Sequence, residues 1–197
     1  ASNGTLLLTS GFTSGRGVAL GGSGGGIGVA AGNSAVWSGV ISGAGAFTKS
    51  SGGTLTLTGA NTYAGATTVD GGTLRAGTAG VFGSSGVMRV NGGGTLDLNG
   101  FDSTFNTIAG DGNVALGSAT LTTNEGGTAS LNGIISGSGR LVKNGTGTLT
   151  LGGANTYGGG TLVNGGTLAG TTTSLQGAIV NNASVVFNQA SSGTCAG

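Results

Sequence analysis

The sequence predicts an all-β chain wound into a parallel coil, a β-solenoid, and three observations carry that prediction. The first is an internal repeat. Gly39 to Leu74 and Gly133 to Leu168 align without a gap at an offset of 94 residues (133 − 39 = 94), with 23 identities in 36 positions. The second is strict alternation: Thr54-Leu55-Thr56-Leu57-Thr58 places the two leucines on one face and the threonines on the other, the pattern of a half-buried strand. The third is strand length. The β-prone runs are short and each is closed by Gly or Asn, which is too short for a sandwich but suits a coil that turns three times per circuit. Proline, the residue most hostile to hydrogen-bonded ladders, is absent, and no segment shows helical periodicity with a capping box.

Composition narrows the class. Among 197 residues there are 49 glycines, a proportion usual in flexible linkers, yet 36% of residues are hydrophobic and fall in alternating runs, as a folded core requires. Net charge is +1, and the basic residues Arg16, Lys49, Arg75, Arg89, Arg140 and Lys143 are scattered, so the footprint of a nucleic-acid partner is missing. No apolar run reaches membrane-spanning length, and no basic-then-apolar signal segment opens the chain. Cys195 is alone, which rules out an internal disulfide and suits export through an oxidising compartment.

In chain order, Thr5 to Thr9 opens as a short strand and leads into the Gly-rich stretch Gly11 to Gly26. Ile27 to Ala31 and Ala35 to Trp37 are the next strands, split by the turn signal Gly32-Asn33-Ser34. Gly26-x-Gly28-x-x-Ala31 nominally matches a dinucleotide loop, but a turn and a strand follow it rather than a helix, so it is expected to be a tight turn. The first repeat supplies strands at 54–58, 66–69 and 73–74. A degenerate echo, Gly93 to Gly100, follows Val87 to Val90. Strands are then expected at 104–108, 114–116 and 119–122, through the second repeat, and finally at 178–180 and 185–187.

Stacking like strands would place like side chains above one another in a continuous interior ladder, and the leucine-bearing strands at 55, 74, 96, 116, 149 and 168 lie roughly 15 to 30 residues apart, one circuit or a step around it, with Leu55, Leu57, Leu149 and Leu151 expected in the core. At about 20 to 25 residues per circuit the chain makes roughly 8 to 10 rungs, a rod on the order of 40 Å long. Glycine is expected at corners that need positive φ, and Asn61 and Asn155, at matching corners, are expected in the left-handed region with side chains bonding along the stack. Tyr63 and Tyr157 match as well, either packing on a corner or offering a ring to a ligand. Lys49 and Lys143 recur at one repeat position, either as solvated charges that keep a flat face from sticking or as a ladder touching glycans or another surface.

These motifs resemble the passenger-associated repeat of bacterial autotransporters. The second copy shows them most fully: Gly137-Ser138-Gly139-Arg140-Leu141-Val142-Lys143, Gly147 to Leu151, Gly153 to Tyr157, Gly159-Gly160-Thr161 and Gly165 to Leu168. The first copy keeps Lys49, Thr54 to Leu57 and Gly59 to Tyr63, and departs at Phe47 and Ala66. The resemblance implies a right-handed, single-stranded parallel β-helix spanning residues 1–197, exported through the periplasm and outer membrane and displayed outside the cell. It also implies that this is a segment of a longer passenger whose C-terminal translocator barrel lies elsewhere in the parent chain. The tail Phe187-Asn188-Gln189 to Gly197 resembles the element after which family members often carry another repeat, with Cys195 where tyrosine is usual.

The chain has no histidine, which excludes a Ser-His-Asp triad, an imidazole proton shuttle and histidine metal sites. The acids Asp70, Asp97, Asp102, Asp111 and Glu125 leave polysaccharide cleavage as the alternative chemistry. Asp97 lies between Leu96 and Leu98, so it is expected to point outward and to pair with Arg75 or Arg89. No calcium-binding nonapeptide series is present, and no catalytic, cofactor or metal residue is assigned. Outward Thr54, Thr56 and Thr58 raise ice binding as a further reading, which Asp97 interrupts. The expected role is a structural and adhesive stalk. Its partners are other copies of itself, or host or bacterial surface glycans or proteins, without nucleic acid.

Overall fold

The computed structural model describes residues 4–84, 86–189, 192 and 194. Among these, every regular element is a strand, and every strand pair is parallel. The strands form three faces of a solenoid of about nine turns, within the expected range. Pairing between successive rungs steps by about one circuit, as in Phe47↔Thr67 and Thr67↔Met88.

The first face begins with Gly4–Leu8, Gly25–Val29, Phe47–Ser50, Thr67–Val69, Val87–Val90 and Thr107–Ala109. It continues through the single bridge Gly110↔Leu131 into Thr128–Leu131, Thr148–Leu151, Thr167–Gly170 and Ser184–Phe187. The second face runs Phe12–Ser14, Ser34–Trp37, Thr54–Leu57, Gly72–Ala76, Gly94–Asp97, Asn113–Ala115 and Ile135–Ser136. The third holds Val18–Leu20 and Ile41–Gly43, then two rungs without strand, then Ser103–Phe105, Thr120–Thr123, Arg140–Lys143, Thr161–Val163 and Ile179–Asn181.

The core follows from this register. Ala35, Leu55, Leu74, Leu96, Val114 and Ile135 lie one above another on the second face, all buried. Ala129, Leu149 and Leu168 do the same on the first. Each such aliphatic side chain contributes about 1.5–3 kcal/mol on burial, and none of it is available to a rung without neighbours.

The two repeat copies do not stack in phase. Phe47–Ser50 lies on the first face, but its equivalent Arg140–Lys143 lies on the third. Thr54–Leu57 lies on the second and Thr148–Leu151 on the first. Ninety-four residues therefore correspond to four full turns plus two further sides, and the second copy is rotated by one face. The leucine-bearing strands are thus related partly by full circuits and partly by a step around the coil: Leu149 and Leu168 lie on a different face from Leu55, Leu74 and Leu96, whose ladder Val114 extends.

Three local expectations are also corrected. The Gly-rich stretch at 11–26 contains the strands Phe12–Ser14 and Val18–Leu20, because pairing with the next rung satisfies its backbone whatever its propensity. Gly25–Val29 is a fully buried strand rather than a tight turn, and a Cβ on Gly26 would stand 2.6 Å from the Thr48 carbonyl oxygen. The run at 104–108 breaks into Ser103–Phe105 and Thr107–Ala109 on different faces. Phe105 and Ile108, three apart, would point to opposite sides of one strand, and the corner at Asn106 lets both turn inward.

Glycine is indispensable where corners close on the rung below. Gly72 has φ +62°, and a Cβ there would stand 2.3 Å from the Gly53 carbonyl oxygen. Gly72→Ala should therefore destabilise the coil by at least about 2 kcal/mol in urea unfolding. Gly127→Ala, with open space at that position, should be close to neutral.

Candidate functional site

The residues that recur in both copies converge on buried polar joints between rungs. Lys49 lies in an inward ladder between Ile27 below and Val69 above. Its side chain is fully buried, which overturns both the solvated-charge and the glycan-ladder readings. Nζ donates to the carbonyl oxygens of Ser50 (2.8 Å), Ser51 (2.7 Å) and Gly71 (2.9 Å). Lys143, equally buried between Thr123 and Val163, donates to Asn144 (2.6 Å), Gly145 (2.9 Å) and Gly165 (3.1 Å). In each copy the three acceptors are two carbonyls of the lysine's own corner and one from the next rung. The middle acceptor sits in the left-handed region, Ser51 at φ 66° and Gly145 at φ 42°. An ammonium has three N–H donors, and here each finds a carbonyl that the corner takes out of the ladder.

Asn61 and Asn155 work where a face loses its strand. Asn61 Oδ1 accepts from the Ile41 amide below (2.8 Å), and its Nδ2 donates to the Val81 carbonyl above (2.7 Å). Asn155 repeats this with Ile135 (2.8 Å) and Ser174 (2.6 Å). The carboxamide carries one acceptor and one donor along the axis and so replaces a peptide group in the ladder. The bonding along the stack is as expected, but neither residue is left-handed. Among the described non-glycine residues only Ser51 and Asn99 have positive φ.

Tyr63 and Tyr157 are buried, so neither presents a ring to a ligand. Tyr63 shares a hydrogen bond with the Thr67 hydroxyl (2.5 Å) and packs against Phe47, ring centroids 5.5 Å apart. Tyr157 pairs with Thr161 at 2.6 Å. Burial pushes both phenols above their ordinary range.

The second copy adds a carboxylate that sequence reasoning placed only among the acids. Glu125 is buried with Nζ of Lys143 at 4.0 Å, and its two carboxylate oxygens have no hydrogen-bond partner among the described residues. Burial lowers Lys143 below its ordinary range, and the Glu125 charge opposes that shift. Lys49 has no such neighbour among the described residues, and burial brings it from 10.5 down to about 8, so it keeps its proton at neutral pH.

Each of the remaining acids is held by a polar neighbour on an adjacent rung. Asp97 points outward and pairs with Arg75 at 2.7 Å, as expected, while Arg89 lies on another face. Asp70 accepts from Asn91 and Asp111 from Asn132 across successive rungs, and Asp102 accepts from the Thr120 amide. A surface cleft of about 240 Å³ beside Phe82 and Phe105 contains a single carboxylate, Asp102. Outward Thr56 is flanked by Val36 and Arg75, whereas Thr54 stacks with Thr73 and Thr95, so the threonines on that face form a single file three rungs long between Ser34 and Asn113. Cys195 lies outside the described residues.

The passenger-associated-transport-repeat family model matches residues 47–76 and 141–169, the two segments that contain these lysine, asparagine and tyrosine joints. The chain is 44% identical over 126 residues, 60% of its length, to the Adhesin BmaC autotransporter of Brucella suis biovar 1 (strain 1330), and spans 4% of that relative. No solved structure gives a significant match.

Lys49→Met should cost about 3 kcal/mol, because it leaves three carbonyls unsatisfied in the core. Lys143→Met should cost more, since Glu125 is then buried without a counter-charge, and adding Glu125→Leu should recover about 1–3 kcal/mol. Asn61→Ala should cost about 2–4 kcal/mol through two orphaned backbone groups. Lys49 also sets a pH dependence. Between about 8 and 10.5 the unfolded chain holds a proton that the folded chain has released, so stability should rise with pH across that window. Urea midpoints followed from neutral to alkaline pH should show this rise, and it should shrink in Lys49→Met.

Proposed function

We propose that this chain is a segment of a bacterial autotransporter passenger, a rigid adhesive rod exported through the periplasm and outer membrane and displayed at the bacterial surface. The observation that carries this reading is where the recurring polar side chains sit. The lysine, asparagine and tyrosine joints shared by the two copies are buried and join rung to rung, as the stacked leucines do. Several outward positions differ, among them Ala46 against Arg140, Thr48 against Val142, Thr68 against Leu162, and Asp70 against Asn164, while the outward threonines at 54/148 and 56/150 are kept. Repeated polar residues spent on holding the coil together suit a display rod rather than one catalytic centre. The name of the similar adhesin supports the same reading. The partner class is a surface glycan or surface protein.

The test is solution scattering together with binding of the purified segment to arrays of glycans and surface proteins. An elongated particle that binds without cleaving its ligand is expected. A compact sphere, or release of reducing sugar that Asp97→Ala abolishes, would overturn the reading.

Self-association is the second reading, favoured by sparsely charged outward faces on which Val40 and Ile134, at matching positions of the two copies, are each 43% exposed. Sedimentation should show concentration-dependent assembly that Val40→Lys weakens, and a strictly monomeric population at high concentration would sink it.

A further inference from the structure

Five Asn-Gly pairs lie among the described residues, beginning at Asn91, Asn99, Asn132, Asn144 and Asn164, all of them outside strands. In such a pair the glycine nitrogen, unhindered by a Cβ, is able to reach the asparagine side-chain carbonyl carbon. The backbone must first swing into position, so the local packing of each glycine decides whether it does.

Four of the five are locked. After Asn99, the Gly100 amide donates to the Leu116 carbonyl (3.2 Å), and Asn99 Nδ2 is held by the Ala76 carbonyl (3.1 Å). After Asn132, Gly133 packs so closely that a Cβ would stand 1.9 Å from the Gly112 carbonyl oxygen. After Asn144 and Asn164, the Gly145 and Gly165 carbonyls are both held by the buried Lys143 ammonium. Asn91 differs in the space around its glycine: nothing lies within 4 Å of the Cβ position of Gly92, whereas each of the other four glycines has a neighbour within 3.2 Å. Asn91 opens the turn closed by Gly94 N–H to its own carbonyl (2.9 Å). The Asn91 side chain is tied only by Nδ2 donating to Asp70 Oδ1 (2.6 Å).

We propose that Asn91–Gly92 is a self-modifying site of the folded rod. The Gly92 nitrogen, giving its proton to solvent base, bonds to Asn91 Cγ. The Cγ–Nδ2 bond breaks, and Nδ2 takes up a proton and leaves as ammonia. Water then opens the resulting cyclic imide at one carbonyl or the other, leaving aspartate or isoaspartate. No other reactant is required. Either product replaces the amide–carboxylate bond to Asp70 with two facing carboxylates. Isoaspartate also adds a methylene to the backbone between Val87–Val90 and Gly94–Asp97, which loosens the corner joining those strands.

The experiment holds the folded protein at mildly alkaline pH and follows each Asn-Gly pair by peptide mass spectrometry, with released ammonia measured in parallel. Asn91 should convert at least about tenfold faster than the other four, the ratio set by the opening that the locked corners require. In urea the five rates should converge. Gly92→Val has open space and an ordinary φ, so it should fold normally and suppress conversion at Asn91. Equal rates at all five pairs in the folded protein, or unchanged conversion in Gly92→Val, would overturn the proposal.

Discussion

In this rod every rung hydrogen-bonds along the axis to the rung before and the rung after, and the rest of the structure answers to that constraint. Parallel register forces each inward position to stack on its counterpart, so a change in one side chain is felt by two neighbours. It also means that wherever the chain turns a corner or leaves a strand, its peptide groups fall out of the ladder inside a dry core. Leaving such groups unpaired costs about 1–3 kcal/mol each. The lysine and asparagine joints meet that demand with side chains: one ammonium closes three corner carbonyls, and one carboxamide stands in for a missing peptide.

The same constraint explains why the repeat has its particular content. Its shared residues are those that join one rung to the next, and they are required wherever a sheet is interrupted. The two copies interrupt different faces, the third at Asn61 and the second at Asn155. The joint is therefore portable. It depends on the rungs directly above and below and is indifferent to which side of the coil it occupies. Rotation of the second copy by one face spreads the outward differences between copies around the rod.

Much of this was legible in the chain itself. The Thr-Leu alternation and the short, glycine-closed runs led to parallel coiling, the rung count and the buried leucines. Asp97, held between two inward leucines, had to point outward. The lysines were misread because a charged side chain recurring at one position looks like a surface feature, and its three acceptors are backbone carbonyls with no signature in sequence. Glu125 was missed for a related reason: only stacking brings its rung beneath Lys143.

The sequence by itself determined the period, the inward and outward alternation and the corners, since these follow from local sterics and from the spacing of apolar side chains along a strand. Tertiary structure alone decided which face each strand occupies, which charges are buried, and which Asn-Gly corner stays open. Those outcomes depend on the exact length of every circuit, summed over several turns, and on carbonyls contributed by a neighbouring rung about twenty residues away.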